Sequence, residues 1–265
     1  SKDGGRDGRC DGQMLLVEDI TETQVLEQEL MHSERLASVG RLAAGVAHEV
    51  GNPVTGIACL AQNLQFESDN PEVLETADQI LSQTQRISRI VHSLVSFSHS
   101  GNQESEKAPV DLHACVEEAV QLLSLQRDKT QVTFANLVPT DLYALGDNQR
   151  LIQVFINLLS NARDASPDGG HIEVEGYTRA GLACIAVTDN GPGISPAHRE
   201  RILEPFFTTK EPGEGTGLGL AMVYSIVEEH GGQLELVSPA HPDTGRGARF
   251  IVQLPLETAE KEPFL

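Results

Sequence analysis

A chain of 265 residues with 39% apolar and 22% charged residues has enough core-forming side chains for one or two modest domains, which excludes a disordered polymer. Its 19 Lys and Arg stand against 39 Asp and Glu, a net charge of −20, and such a surface excludes nucleic acid as a partner. A free nucleotide is repelled too, so any site for one must rely on a metal ion, backbone amides and a few local cations.

The four cysteines, Cys10, Cys59, Cys115 and Cys184, lack CxxC spacing, which argues against a zinc site or a disulfide framework and fits a reduced, cytoplasmic compartment. No apolar run approaches the roughly eighteen residues a membrane span needs, so no membrane contact is expected of these residues. The chain starts at Ser1, which reads as a piece of a longer protein that can carry an anchor elsewhere.

In chain order, residues 1–12 are rich in Gly and charge and read as a flexible start. MLLVEDITETQVLEQEL follows, a short apolar strand handing over to a helical pattern. It resembles the exit of a PAS sensor domain, and residues 1–20 are assigned to that tail. From 21 to 66 the pattern is helical, with Leu36, Val39, Ala43, Val46 and Val50 alternating at steps of three and four. A second helix is expected over 71–98, where Val73, Ala77, Ile80, Thr84, Ile87, Val91 and Leu94 repeat the seam. A short linker makes the pair an antiparallel hairpin over 21–99, and a dimeric four-helix bundle is the economical way to cover both stripes.

Residues 100–109 are polar with Gly and Pro and read as a linker. Beyond them the pattern changes to α/β. Asp111 is placed to cap a helix through Leu125, and strands are expected over 131–136 and 141–145. Asp147 is placed to cap an apolar helix over 148–166; strand-like runs HIEVEGYT and LACIAVTD follow. A helix from GLGLAMVYSIVEEHGG, stopped by Gly231, precedes the strands QLELVS and ARFIVQLP. The fold class is therefore α+β, with a helical hairpin and then an α/β sandwich over 110–256 and a tail over 257–265.

His48 lies two residues beyond the seam position Val46, about 200° around the helix, and should face outward. Alone it would be one surface histidine among nine. Its neighbours change that. Asn52, one turn on, shares its face and can hold water or an incoming group against the imidazole. Glu49 is a candidate to take the proton from the nitrogen that does not attack, although adjacent helical residues do not face each other. Pro53 removes an amide from the helix and is expected to bend it, which helps a second domain approach. HEVGNP resembles the HExxNP box of histidine kinase dimerisation domains. By that resemblance His48 is the phosphoacceptor, Glu49 the base and Asn52 the residue of phosphatase or transfer chemistry; Gly51 stands where the family often has a basic residue.

Four segments follow. In QVFINLLSNARDA, Asn157 and Asn161 are one turn apart, and their amide oxygens suit Mg²⁺, although two surface amides would read the same way. In VTDNGPGI, Asp189 ends a strand and can accept from an exocyclic amine, while Gly191 and Gly193 let backbone pass close to a flat ring; alone, DxGxG is more often a turn. LEPFFTTK contributes Lys210 as a local cation, with Phe206 and Phe207 as hinge packing or core. In GEGTGLGL, Gly213, Gly215, Gly217 and Gly219 free backbone amides at a helix start, an arrangement suited to phosphate and to a mobile lid.

In this order the segments resemble the asparagine, DxGxG, phenylalanine and GxGxG boxes of the histidine kinase catalytic domain, within the Bergerat-fold ATPases. The resemblance implies ATP and Mg²⁺ as cofactors, with Asn161 on the metal, Asp189 on adenine, and Thr216, Gly217, Leu218, Gly219 and Leu220 in the lid. It implies a homodimer that phosphorylates His48 from ATP and passes the group to an aspartate of a response regulator receiver domain, with regulator phosphatase activity besides. Ala248 departs from a family position that commonly carries Thr near adenine. Two rival readings are an ATP-hydrolysing clamp and a degenerate scaffold. Clamp ATPases of this fold carry Glu one turn before the metal-binding Asn, where this chain has Asn157, and an amide cannot act as a general base.

Overall fold

The computed structural model describes residues 50–99, 107–125, 132–211 and 215–257, all within the unit Leu36–Leu265. His48, Glu49, Gly213 and the PAS-like start lie outside the described residues.

Helix α1 is helical from 50 to 67 and continues through Pro53. Helix α2 spans Pro71–His99, one residue beyond the stretch its periodicity predicts. Residues 68–70 join them, and the Asn70 side chain starts α2 by accepting from the amide of Glu72 at 3.0 Å. The buried positions are Val54 and Ala61 on α1 and Ala77 and Thr84 on α2, each pair seven residues apart, the heptad interval of a helical seam. Ile57, Leu60 and Leu64 are 47%, 66% and 44% exposed, so α1 keeps an apolar stripe that this single chain leaves open.

The remainder is a layer of helices on one mixed sheet. Its strands are β1 (Ala108–Asp111), β2 (Thr133–Leu137), β3 (Tyr143–Gly146), β4 (His171–Arg179), β5 (Leu182–Thr188), β6 (Gln233–Val237) and β7 (Arg249–Glu257). The order is β1-β3-β7-β5-β4-β2, and β6 also pairs with β7. Only β2 and β4 run parallel. Strand β1 begins inside the polar stretch read as a linker; four residues containing Pro109 carry little strand signal, and an edge position tolerates the proline.

Alternation along the central strands gives the sheet two different faces. Ala183, Ile185 and Val187 of β5, with Phe250, Val252 and Leu254 of β7, join the main core beneath the helices. Their neighbours Cys184, Ala186 and Ile251 form a small cluster on the other face. That face is trimmed by polar pairs: Arg179 with Glu235 at 2.8 Å, Arg249 with Glu175 at 2.6 Å, and the Gln253 amide donating to Glu235 at 3.1 Å.

Helix α3 spans Leu112–Ser124, α4 Asn148–Ala165, α5 Pro196–Arg199 and α6 Gly219–Glu229. The two expected aspartate caps are present. Asp111 accepts from Ala114 N at 3.1 Å, and Asp147 from Gln149 N and Arg150 N at 2.9 and 3.2 Å. Helix α4 packs against both α3 and α6 and buries Leu151, Phe155, Leu158 and Leu159 almost completely. Each such side chain contributes about 1.5–3 kcal/mol of transfer free energy.

His230, unmarked by any sequence signal, ties the start of α4 to the end of α6. Its Nε2 accepts from the Asp147 amide at 3.0 Å, so Nδ1 carries the proton and donates to the Ile226 carbonyl at 2.7 Å. A Cβ at Gly146 would stand 2.6 Å from the ring, so that position admits only glycine. Burial pushes His230 below its ordinary value of 6.5, against the opposing pull of the Ile226 carbonyl. The unfolded chain therefore binds a proton that the folded chain refuses, and stability present above pH 6.5 is lost as pH falls below it. His230→Gln is expected to cost about 1–3 kcal/mol at pH 7.5 by urea unfolding. The variant should also lose less stability than the parent on acidification from about pH 7 to 5.5. Equal acid-side losses in the two proteins would refute the role given to this ring.

Candidate functional site

A cleft of about 760 Å³ opens between α4, α6, the loop that follows β5 and the loop that enters β7, and it collects most of the residues singled out by the sequence. Asn157, Asn161, Asp189, Gly193, Lys210, Gly215, Thr216, Gly217, Gly219 and Leu220 all line it. Gly191 and Leu218 are outside the lining, Leu218 being fully buried. Asn52 is exposed on α1, apart from the cleft lining.

Asp189 follows the last residue of β5 and is 5% exposed. Its Oδ1 accepts from the amides of Gly191 at 2.9 Å and Ala248 at 3.1 Å, while its own amide donates to the Ala248 carbonyl at 3.0 Å. Oδ2 receives no hydrogen bond among the described residues, which leaves one oxygen of a buried carboxylate on the cleft lining without a partner. Burial raises the carboxyl above its ordinary value, opposed by the amides of Gly191 and Ala248 and by His241.

The glycines near Asp189 answer to the protein's own backbone. A Cβ on Gly191 would meet the Ala165 carbonyl at 2.6 Å. Gly193 has φ +78° and faces Ser238 and Gly247 at about the same closeness. The sequence suggests that these glycines let a flat ring approach; in the structure Gly191 is also crowded by the end of α4 and Gly193 by the loop that enters β7. Gly247, which the sequence reading passed over, has φ +82°, and a Cβ there would lie 2.4 Å from the Asp189 carbonyl oxygen. Its amide donates to Gly191 at 2.9 Å, and Ser238 Oγ accepts from Ile194 at 2.7 Å, so residues 238–248 buttress the whole 189–194 turn.

At the other end of the cleft, α4 and α6 run antiparallel, with Asn157 and Asn161 opposite the start of α6. A Cβ at Gly219 would lie 3.5 Å from Asn157 Oδ1 and 3.8 Å from Asn161 Nδ2. Asn157 donates to the Met222 sulfur at 3.6 Å, whereas Asn161 makes no hydrogen bond among the described residues. Helix α6 starts at Leu218 with no side-chain cap, and Thr216 Oγ1 accepts only the Leu218 amide, at 3.3 Å. Its first amides are therefore available to an anion in the cleft.

Lys210 is engaged within the protein: its ammonium pairs with Asp164 on the cleft wall. Phe206 is 52% exposed with φ +68°, its amide donating to the Gly217 carbonyl at 2.9 Å; Gly217 has φ +67° and would drive a Cβ to 2.4 Å from Phe206. Phe207 differs. It lines the cleft, lies under the Arg201 guanidinium at 4.5 Å and meets His198 edge-on at 5.6 Å. Phe207 is thus the packing residue, and Phe206 takes a left-handed backbone conformation with about half of its surface exposed.

Comparison with known proteins agrees with this geometry. The family described as histidine kinase-, DNA gyrase B-, and HSP90-like ATPase matches residues 146–258, and the His Kinase A (phospho-acceptor) domain matches residues 38–103. The sensor histidine kinase ZraS of Escherichia coli O157:H7 is 37% identical over 91% of this chain, which spans 51% of ZraS. Thus the chain spans about half the length of that curated relative. Full-length ShkA in complex with AMPPNP matches with a TM-score of 0.68 and 26% identity, over 83% of this chain and 46% of that one. Histidine kinase ThkA in complex with the response regulator protein TrrA matches with a TM-score of 0.61 and 29% identity, over 91% of this chain and 68% of that one. With a phospho-acceptor domain and an ATPase domain in series, and relatives of one kind across nearly its whole length, the chain belongs to the sensor histidine kinases as a catalytic core.

Proposed function

We propose that this core transfers the γ-phosphoryl group of ATP to His48 and then to an aspartate of a response regulator receiver domain. In the first step an imidazole nitrogen of His48 bonds to the γ-phosphorus, the bond to the β-γ bridging oxygen breaks, ADP leaves, and the proton passes to Glu49. The observation that carries the reading is the state of the two carboxylates on the cleft wall. Asp164 is paired with Lys210, and Asp189 spends one oxygen on two backbone amides while the other is assigned below to the adenine amine, which leaves neither carboxylate for activating water. A cleft suited to ATP, with no unassigned carboxylate and with the amide of Asn157 one turn before Asn161, fits transfer to an acceptor supplied from outside it, and His48 is the acceptor the sequence offers.

Within the cleft, Asp189 Oδ2 is assigned to the exocyclic amine of adenine and the opening amides of α6, from Gly219 onward, to the phosphates. The unengaged amide of Asn161 fits a hard cation, and among the described residues no cluster of three or more acidic, His or Cys side chains offers a competing metal site. Mg²⁺ held there would neutralise charge developing on the β- and γ-phosphates. Residues 215–220 serve as the lid. The open stripe Ile57, Leu60 and Leu64 supports a homodimer in which two hairpins form a four-helix bundle. Asn52, exposed on α1, is assigned to removal of the phosphoryl group from the regulator. Among the described residues no helix is long and apolar enough to cross a membrane.

Incubation of the chain with Mg²⁺ and γ-labelled ATP should produce an acid-labile, base-stable label that His48→Ala abolishes; label retained in the variant rules out His48. Asp189→Asn places an amide where the adenine amine needs an acceptor, and ATP affinity measured by calorimetry should fall about tenfold or more, equivalent to ~1.4 kcal/mol. Unchanged affinity would remove Asp189 from the adenine site. Asn161→Ala should lower the labelling rate about tenfold or more at fixed Mg²⁺ while leaving metal-free nucleotide binding near the parent value. A variant as fast as the parent would take Asn161 off the metal.

A further inference from the structure

The cleft proposed for ATP has little positive charge of its own, in a chain carrying −20. Among the described residues that line it, the permanent cations are Lys210 and Arg86. Lys210 is matched by Asp164, and Asp189 adds a further carboxylate to the wall. Arg86 has a different position. It belongs to α2, the second helix of the hairpin, and is half-buried. No hydrogen bond or ion pair holds its guanidinium among the described residues, although the chain carries 39 acidic side chains. Ile90, one turn further on the same helical face, also lines the cleft, so α2 presents a short edge to it.

A half-buried guanidinium costs desolvation free energy unless an anion meets it, and its planar fork of donors matches phosphate oxygens. Among the described residues no acidic group is brought to Arg86, and an anion entering the cleft is in reach of its lining position. We propose that Arg86 is a phosphate-binding residue of the nucleotide site, donating from the hairpin to the anionic tail of a bound nucleoside di- or triphosphate while Ile90 packs at the rim. This rests on the reading of the cleft as a nucleotide site. It makes the hairpin part of that site, so nucleotide and hairpin position are thermodynamically linked: whatever seats α2 on the cleft tightens the nucleotide, and the nucleotide seats α2 in return by the same factor.

The test measures binding of ATP and of adenosine to the full chain by calorimetry, for the parent, Arg86→Gln, Arg86→Lys and Asp189→Asn. Arg86→Gln should weaken ATP about tenfold and leave adenosine unchanged, with Arg86→Lys intermediate, because a lysine keeps the charge and loses the fork. Unchanged ATP affinity in Arg86→Gln overturns the proposal. So does an equal loss for ATP and adenosine, which would mark Arg86 as structural; the lysine variant guards against a glutamine variant that folds poorly. Asp189→Asn should weaken both ligands. If it weakens neither, the nucleotide reading of the cleft fails, and the role of Arg86 fails with it.

Discussion

The carboxylate of Asp189 is the point on which the cleft depends. One of its oxygens takes two backbone amides, from Gly191 and Ala248, and in doing so joins the loop leaving β5 to the loop entering β7. These are charge-assisted bonds in a buried place, where their loss costs more than at a surface. Because that oxygen is spent on structure, the other is held still and unpaired, which is the condition for discriminating a ligand by a single acceptor. The requirement for glycine at 247 follows from the same closure, since a side chain there would collide with the Asp189 carbonyl across the junction, while a side chain at 191 would collide with the end of α4 at Ala165.

Charge is the second constraint, and it is handled locally. The sheet's open face neutralises itself in pairs such as Arg179 with Glu235, and the cleft neutralises Lys210 with Asp164. On the proposed assignments a polyanion would be met by backbone amides, one unengaged amide side chain and the Arg86 guanidinium on a neighbouring helix.

Much of this was legible from residue order because the signals were local. Asp111 and Asp147 sit one position before apolar periodicity begins, and each is seen capping its helix. Apolar steps of seven marked the hairpin, and Ala77 and Thr84 are buried at two of the positions named. What stayed hidden depends on contacts between segments far apart in the chain. Gly247 reads as loop glycine until Asp189 is brought beneath it, and His230 reads as helix-end polarity until Asp147 is 3.0 Å away. Lys210 was read as a cation facing phosphate, and only the fold reveals that Asp164, 46 residues earlier, reaches it first. Arg86 was one more charge on a helix surface. The same limit explains the two phenylalanines: adjacent in sequence, one stacks under Arg201 while the other is turned outward by its backbone.

The double hydrogen bonding of His230 has a mechanical consequence. Helices α4 and α6 both line the cleft, and they are stitched together at one end, where the imidazole bridges the Asp147 amide and the Ile226 carbonyl and Arg150 pairs with Glu229 at 2.7 Å. At the opposite end, Asn157 reaches only the soft sulfur of Met222, and α6 begins without a cap. A widening that kept this spine would fan the two walls apart, most at the end where the phosphates are proposed to lie. Geometry of that kind lets the far end admit and release a charged tail while the register between the two helices is kept.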